Sequence, residues 1–370
     1  MWLWIIWVIW MLAILYLVLS FFKARKALLY QAAPPHAPST YSEGVSVIVC
    51  ARNELANLKQ LLPLLYRQEY TNFEIIIVED CSTDGSLDFL LEEKQSHPQL
   101  KVVWLRQRPE HVRGKKYALS LGIRAARYER LLLTDADCRP ASNEWLRGMT
   151  AGLRGSSEIV LGYSPYLRNK GLLNTYIRYE TLLTAGLYFS AAIRGRPYMG
   201  VGRNLAYRKS LFMRHKGFCG HLHVLGGDDD LFVNRHATAV NTTTVTDKNC
   251  QVYSLPKNSW QQYFRQKLRH LSVGKYYKKE DQRWLGSLSV SHLVFWSGLF
   301  GLILGGYEPI FIVTGLILKW FSQFFFLKTA ADKLKNPINL ALLPILDFLY
   351  VIYYIILGIR AISTKNTQWN

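Results

Sequence analysis

RLLLTDAD, residues 130–137, is an unbroken apolar run that stops abruptly in two aspartates. Runs of this kind, apolar without alternation, suit strands covered on both faces, and such strands belong to parallel sheets. Two similar runs lie upstream, VSVIVC at 45–50 and FEIIIVE at 73–79, with a shorter one at 101–105. Between them Leu55, Leu58, Leu62 and Leu65 recur at helical spacing, a second helix is entered through Ser82, Thr83 and Asp84, and a third is read over 117–128. Strand and helix therefore alternate, which predicts a doubly wound, Rossmann-like α/β domain with its ligands at the carboxyl ends of the strands.

Those ends are polar. Ala51, Arg52, Asn53 and Glu54 follow the first strand, DCSTDG (80–85) the second, and Asp135 and Asp137 the fourth, so all three are expected to face one crevice. In extended backbone, residues two apart project to the same side. Asp135 and Asp137 would then suit a hard cation, Mg²⁺ or Mn²⁺, which takes one or two carboxylates plus phosphate oxygens; a solvated turn is the alternative. Phosphatases that form an aspartyl phosphate also use DxD, but on their first strand, and here that strand ends in CARN. Asp80 can accept a hydrogen bond from the imide N–H of a base such as uracil, although its segment also reads as a helix-capping turn. Arg113, Gly114, Lys115 and Lys116 open a helix, where free N–H groups and ammonium charge suit phosphate, or else form a solvated basic face. GGDDD at 226–230 gathers Asp228, Asp229 and Asp230, whose mutual repulsion raises at least one proton affinity, a route to a general base. A helix N-terminus accounts for one or two of these acids but not easily for three.

The 370 residues include 45 Lys+Arg against 26 Asp+Glu, and half are hydrophobic, which excludes a disordered chain and argues against a uniformly soluble one. The excess charge is concentrated in residues 101–130, 194–216 and 257–283, which together carry +20, so the rest of the chain is nearly neutral against a net +19. Cys50, Cys81, Cys138, Cys219 and Cys250 lie far apart, a pattern that fits a reducing compartment rather than a disulfide framework or structural zinc. Residues 2–22 are uncharged, apolar and long enough to cross a bilayer, and Lys23, Arg25 and Lys26 follow them. This order places the N-terminus outside and the next domain in the cytosol. The expected organisation is a transmembrane helix at 1–23, a linker at 24–43 with a Pro- and Ser-rich stretch, a cytosolic domain at 44–283, and transmembrane helices at 285–306, 309–327 and 338–359. His292, Pro344 and Asp347 interrupt the last three, so interfacial or re-entrant helices are the alternative. Residues 260–271 are amphipathic: Trp260, Phe264, Leu268 and Leu271 share one face and Gln262, Gln266 and Arg269 another, as in a helix resting on a membrane surface.

Taken together, VSVIVCARNE (45–54), VEDCSTDGS (78–86), RGKKYAL (113–119), TDAD (134–137), GRNLAYRKS (202–210), GGDDD (226–230) and QKLRH (266–270) resemble the inverting family 2 glycosyltransferases of the GT-A fold, particularly the membrane-embedded branch. The resemblance implies a nucleotide-sugar donor, with Asp80 on uracil, Cys50, Ala51 and Arg52 giving backbone contacts, Glu54 beside them, and Lys115 near the base or diphosphate. It implies that Asp135 and Asp137 bind the ribose and the metal diphosphate, Asp137 being the metal ligand, and that Asp229 is the catalytic base, supported by Asp228 and Asp230. Gly202, Arg203 and Asn204 would border the acceptor, and Gln266, Arg269 and His270 would meet the diphosphate or acceptor. Membrane synthases of the family usually carry Q-x-x-R-W, where this chain has His270 in place of tryptophan. That removes an indole platform for a sugar and weakens the case for processive synthesis, so that single transfer to a lipid-linked or glycan acceptor is supported at least equally, with a processive polysaccharide synthase as the alternative. The implied location is integral to the cell inner membrane with the catalytic domain in the cytosol. A non-enzymatic protein binding anionic lipid or glycan fits the charge equally but gives no reason for acids at the strand ends. Nucleic-acid binding is not expected beside four apolar spans, and no protein partner is implied.

Overall fold

A computed structural model describes residues 2–30, 43–107 and 114–363, with side chains to 360. The Pro-rich part of the expected linker and Arg113 of the basic cluster lie outside the described residues. The elements begin with α1 (Trp2–Tyr30), β1 (Val45–Ala51), α2 (Leu55–Tyr66), β2 (Phe73–Asp80), α3 (Ser86–Ser96), β3 (Leu100–Leu105), α4 (Lys116–Ala125) and β4 (Arg130–Asp135). There follow β5 (Cys138–Pro140), α5 (Trp145–Thr150), β6 (Ile159–Leu161), α6 (Leu172–Ile193), β7 (Leu205–Arg208), α7 (Lys209–Arg214), α8 (Asp230–His236), β8 (Thr242–Thr244) and β9 (Val252–Ser254). The last helices are α9 (Trp260–Gly274), α10 (Lys279–Leu304), α11 (Pro309–Lys333) and α12 (Leu343–Ser363). The chain divides into two compact units, a sheet unit built mainly from 32–167 and 192–257 and a helical unit from 1–31, 168–191 and 258–365.

In the sheet unit the strand order is β3-β2-β1-β4-β7-β6-β8. The first four strands are parallel, as their apolar runs require, and the register sets Cys50 beside Asp135 and Ala51 beside Glu79. β7 then runs antiparallel to β4 and β6, so the sheet is mixed rather than doubly wound throughout. Leu58, Leu61, Leu62 and Leu65 of α2 are fully buried in one core with Val47, Val49, Ile75 and Ile77, each worth roughly 1.5–3 kcal/mol of burial. α4 covers the other face at Gly122, where a Cβ would come within 2.7 Å of Val78 and 2.9 Å of Ile48. A second, two-stranded sheet pairs β5 with β9 antiparallel.

In the helical unit α1, α10, α11 and residues 340–360 are four helices long and apolar enough to cross a membrane. α1 continues through Lys23, Arg25 and Lys26 to Tyr30, into the stretch read as linker. It packs on α10 and α11 through Trp10, whose Nε1 donates to the Phe295 carbonyl at 2.8 Å. Gly298 and Gly315 make room for that indole: a Cβ on Gly315 would lie 2.3 Å from it. The polar residues that interrupt the apolar runs meet one another. Asp347 accepts from Lys319, from Trp296 at 2.9 Å and from Gln323 at 3.0 Å, with His292 at 3.4 Å. Pairing removes the cost of these charges inside helices, so α10 and α11 run unbroken, and Pro344 sits in the first turn of α12, where its missing N–H is no loss.

Candidate active site

Two loops at the carboxyl edge of β1 and β2 are interlocked. Asn53 has a left-handed φ of 55° and Cys81 one of 57°, tight turns that fold both loops back on each other. The Thr83 N–H donates to Asn53 Oδ1 at 2.8 Å, the Asn53 N–H to Ser82 Oγ at 2.9 Å, and the Leu55 N–H, at the start of α2, to Asp84 Oδ2 at 3.0 Å. Asp84 also accepts from Ser86, and these bonds outweigh slight burial to hold its carboxyl below the usual range. The capping role considered for DCSTDG thus belongs to Asp84, which accepts from the first N–H of both α2 and α3, while Ser82 ties the two loops together. Asp80 ends β2, almost fully buried. Ala51 is buried and Arg52 exposed, and Glu54 is partly buried; burial, with Asp137 and Asp135 nearby, raises its carboxyl despite a bond from Asn57.

Lys115, at the mouth of α4, is paired with Asp135 at the end of β4. Burial works against its ammonium, but Asp135 and Asp228 hold it well above the ordinary lysine value. Burial pushes the Cys50 thiol up to about 12, and Asp228, Asp135 and Asp80 add to the shift against Lys115. Lys115 and Asp135 are thus in direct contact beside Cys50, and Asp80 and Asp228 are near enough to be felt there. β4 ends at Asp135 and residues 136–137 form a turn, so Asp135 and Asp137 converge through that turn and not through strand alternation as the sequence suggested. One donor atom from each of Asp135, Asp137 and Cys138 lies within 4.8 Å of the others. Burial and Asp137 raise the Cys138 thiol, whose Sγ donates to Asp137 Oδ1 at 3.6 Å; the two hard carboxylates of the set fit Mg²⁺ or Mn²⁺.

The acidic loop is built around Asp229. Gly226 and Gly227 adopt left-handed φ values of 84° and 76°, turning the chain into α8. Asp229 caps that helix: Oδ1 accepts the Asp230 N–H at 2.7 Å, and Oδ2 accepts the Gly202 N–H at 2.7 Å. A Cβ on residue 202 would come within 3.1 Å of Oδ2, so the glycine permits this approach. Burial, then Asp228, raises the Asp229 carboxyl to about 6, against the two N–H bonds. Asp230 is buried and accepts the Leu231 N–H at 2.7 Å. Lys116, read from sequence as part of the basic cluster, and His221, unassigned there, hold the loop. Lys116, fully buried, donates to the carbonyls of His221 at 2.6 Å and Val224 at 2.7 Å, and the His221 ring lies 3.0 Å from the Gly227 carbonyl. Lys116 is therefore a loop anchor and not part of the phosphate cluster read at 113–116. Its position beside Lys115 was the available signal; nothing in the sequence marked His221.

Of the Gly202 turn, Arg203 lies over the Tyr166 ring at 4.6 Å, feels Asp135 and Asp137, and its Nη1 is buried without a hydrogen-bond partner. Asn204 is fully buried and spends its amide on Tyr163 and Cys250 carbonyls, both at 2.8 Å, and on Trp145 Nε1 at 2.9 Å. Both amide hydrogens are used inside the fold, so Asn204 supports the turn. Gln266, Arg269 and His270 lie on α9 of the helical unit, His270 exposed. The missed residue there is Lys267, which pairs with Glu180 of α6 at 2.6 Å.

Residues 46–216 match the family model for glycosyl transferase family 2. A poly-β-1,6-N-acetyl-D-glucosamine synthase of Staphylococcus epidermidis is 37% identical over 95 residues, 26% of this chain and 22% of that one. A β-monoglucosyldiacylglycerol synthase of Nostoc sp. is 35% identical over 101 residues, 27% of this chain and 21% of that one. The matched segment thus spans about a fifth of these relatives' length. A mannosyltransferase from Pyrobaculum calidifontis, solved with GDP-Man and Mn²⁺, superposes with a TM-score of 0.62 at 21% identity, covering 90% of this chain and 99% of that one. The sheet order and these likenesses agree on the fold: the chain has the mixed α/β sheet of the GT-A fold, and its residues 46–216 are similar to glycosyl transferase family 2.

Proposed function

We propose that the protein transfers a sugar, with inversion, from a nucleoside diphosphate donor to a hydroxyl of a lipid-linked or glycan acceptor at the cytosolic face of the cell inner membrane. The observation that supports this reading best is the convergence of the Asp135 and Asp137 carboxylates at the end of β4, with Lys115 paired to Asp135 and a base, Asp229, whose proton affinity is raised into a useful range. Asp80 is suited to the donor's base, uracil by preference. Asp137 and Asp135 would hold Mg²⁺ or Mn²⁺, which when bound neutralises the charge of the departing diphosphate. Lys115 and the buried guanidinium of Arg203 supply further positive charge on the same side. Asp229, tied to the Gly202 turn, takes the proton from the acceptor hydroxyl as its oxygen bonds to the anomeric carbon. The bond from that carbon to the diphosphate breaks, and the configuration inverts. Each Asp229 oxygen accepts one N–H bond and keeps a lone pair for the incoming proton.

The acceptor class draws on the names of the two relatives, a glycan and a glucolipid synthase. His270 in the place of tryptophan favours one transfer per acceptor. Purified full-length protein incubated with a panel of nucleotide sugars, native membrane lipids and Mn²⁺ tests this by mass spectrometry of the lipid fraction. A single added sugar is expected; a ladder of additions points to processive synthesis, and no product with any donor would remove the reading.

A further inference from the structure

Lys267 stands where a lysine is least expected. With about 100° between successive residues of a helix, Trp260, Phe264 and Leu271 lie within about 60° of Lys267, and Tyr263 within about 40° on its other side. The ammonium is thus at the centre of the apolar face of α9, with only 14% of its side chain exposed. A solvated lysine would occupy the opposite face. What holds it is Glu180, the single acid of α6, whose side chain is 1% exposed. The Glu180 carboxylate accepts from Lys267 at 2.6 Å, from Tyr263 at 2.9 Å, from Tyr354 of α12 at 3.0 Å and from Thr184 at 3.3 Å.

α6 is itself a fixed post. Gln323 of α11 donates to Tyr179 at 2.9 Å and to Asp347 at 3.0 Å, and Arg178 donates to Asn336 at 3.0 Å and to the Pro337 carbonyl at 2.6 Å. A charged pair of this kind sets rotation in a way that apolar contacts cannot, because turning α9 strands a buried carboxylate. The residues on either side of Lys267 then have a defined direction. Gln266, His270 and Arg269 fall in one sector, about 60° to 160° around the helix from Lys267.

We propose that Glu180 and Lys267 form a positioning pair that fixes the rotational setting of α9 and so the direction of Gln266, Arg269 and His270 as a group, a setting that sugar transfer requires. The role in transfer rests on the proposed function; the setting of α9 does not. In the full-length protein in lipid nanodiscs, Lys267→Met should speed amide exchange across residues 260–274 about tenfold or more while exchange in β1 and β4 stays unchanged. Turnover should fall about 10- to 100-fold through misplacement, with nucleoside diphosphate affinity of the sheet unit changed less than turnover. Lys267→Arg should restore both exchange and turnover, and adding Glu180→Gln to Lys267→Met should cost little more than the first change. Unchanged exchange in Lys267→Met overturns the pair as a positioning device. Faster exchange with normal turnover overturns its role in transfer. If the wild-type protein transfers no sugar from any donor, the proposed function fails, and the exchange measurement alone still decides whether the pair sets α9.

Discussion

Asp347 and Glu180 of the helical unit are each enclosed by donors: lysine, glutamine and tryptophan around the first, lysine and two tyrosines around the second. In the sheet unit, Asp135 and Asp137 converge at the end of β4 with Lys115 paired to Asp135, Asp228 and Asp229 stand in the acidic loop before α8, and all four acids remain partly open to solvent. The difference separates two uses of the same side chain. A carboxylate that is fully buried and balanced holds helices in place, and removing one partner exposes the cost of the other. Carboxylates crowded in a cleft with too few cations retain an unmet demand for positive charge, which a metal diphosphate supplies.

Breaking a balanced pair should give the largest effect. Asp347→Leu leaves Lys319 buried alone and should destabilise the helical unit by about 3–5 kcal/mol, read as a lowered unfolding midpoint in detergent. The double change Lys319→Met/Asp347→Leu should recover most of the loss; equal destabilisation in both would erase the contrast between the regions. At the cleft, Asp137→Ala should leave the fold intact but weaken Mn²⁺-dependent nucleoside diphosphate binding by about a hundredfold or more. Calorimetry with and without chelator checks this, and binding that ignores the chelator would place the metal elsewhere. Lys116→Met removes two charge-assisted bonds from the acidic loop and should cost about 1.5–3 kcal/mol, seen as lower thermal stability with faster exchange in residues 219–229. The smallest effect is electrostatic. Asp229 must be ionised to act, so kcat/KM should fall as pH drops through about 6. Since Asp228 raises that value, Asp228→Asn should move this limb to lower pH, with turnover at neutral pH reduced by less than about tenfold.

The parallel half of the sheet was legible because β1, β2 and β4 are long, apolar and covered on both faces, and each ends in polar residues. β5, β6, β8 and β9 have three residues each, too few for any period to show, and the antiparallel return through β7 is a long-range pairing that local pattern does not encode. The acids of the site were visible as types at positions; their supports were not. Asn204 reads like a binding residue in GRN and has both amide hydrogens used inside the fold. Lys116 and His221 act through backbone carbonyls, which leave no mark in a sequence. Lys267 was missed although it stands on the apolar face of its helix, because its partner Glu180 lies on a different helix and only the fold brings the two together.

The central claim is that Asp229 removes the acceptor proton while the strand ends hold the donor. Turnover and donor nucleotide affinity measured side by side for Asp229→Asn test it most directly, because the amide keeps the shape of the carboxylate but cannot accept that proton. Turnover should fall by about 10²- to 10⁴-fold, and affinity should stay close to that of the wild type. Near-normal turnover in this variant, with collapse in Asp228→Asn or Asp230→Asn instead, would contradict the assignment of the base.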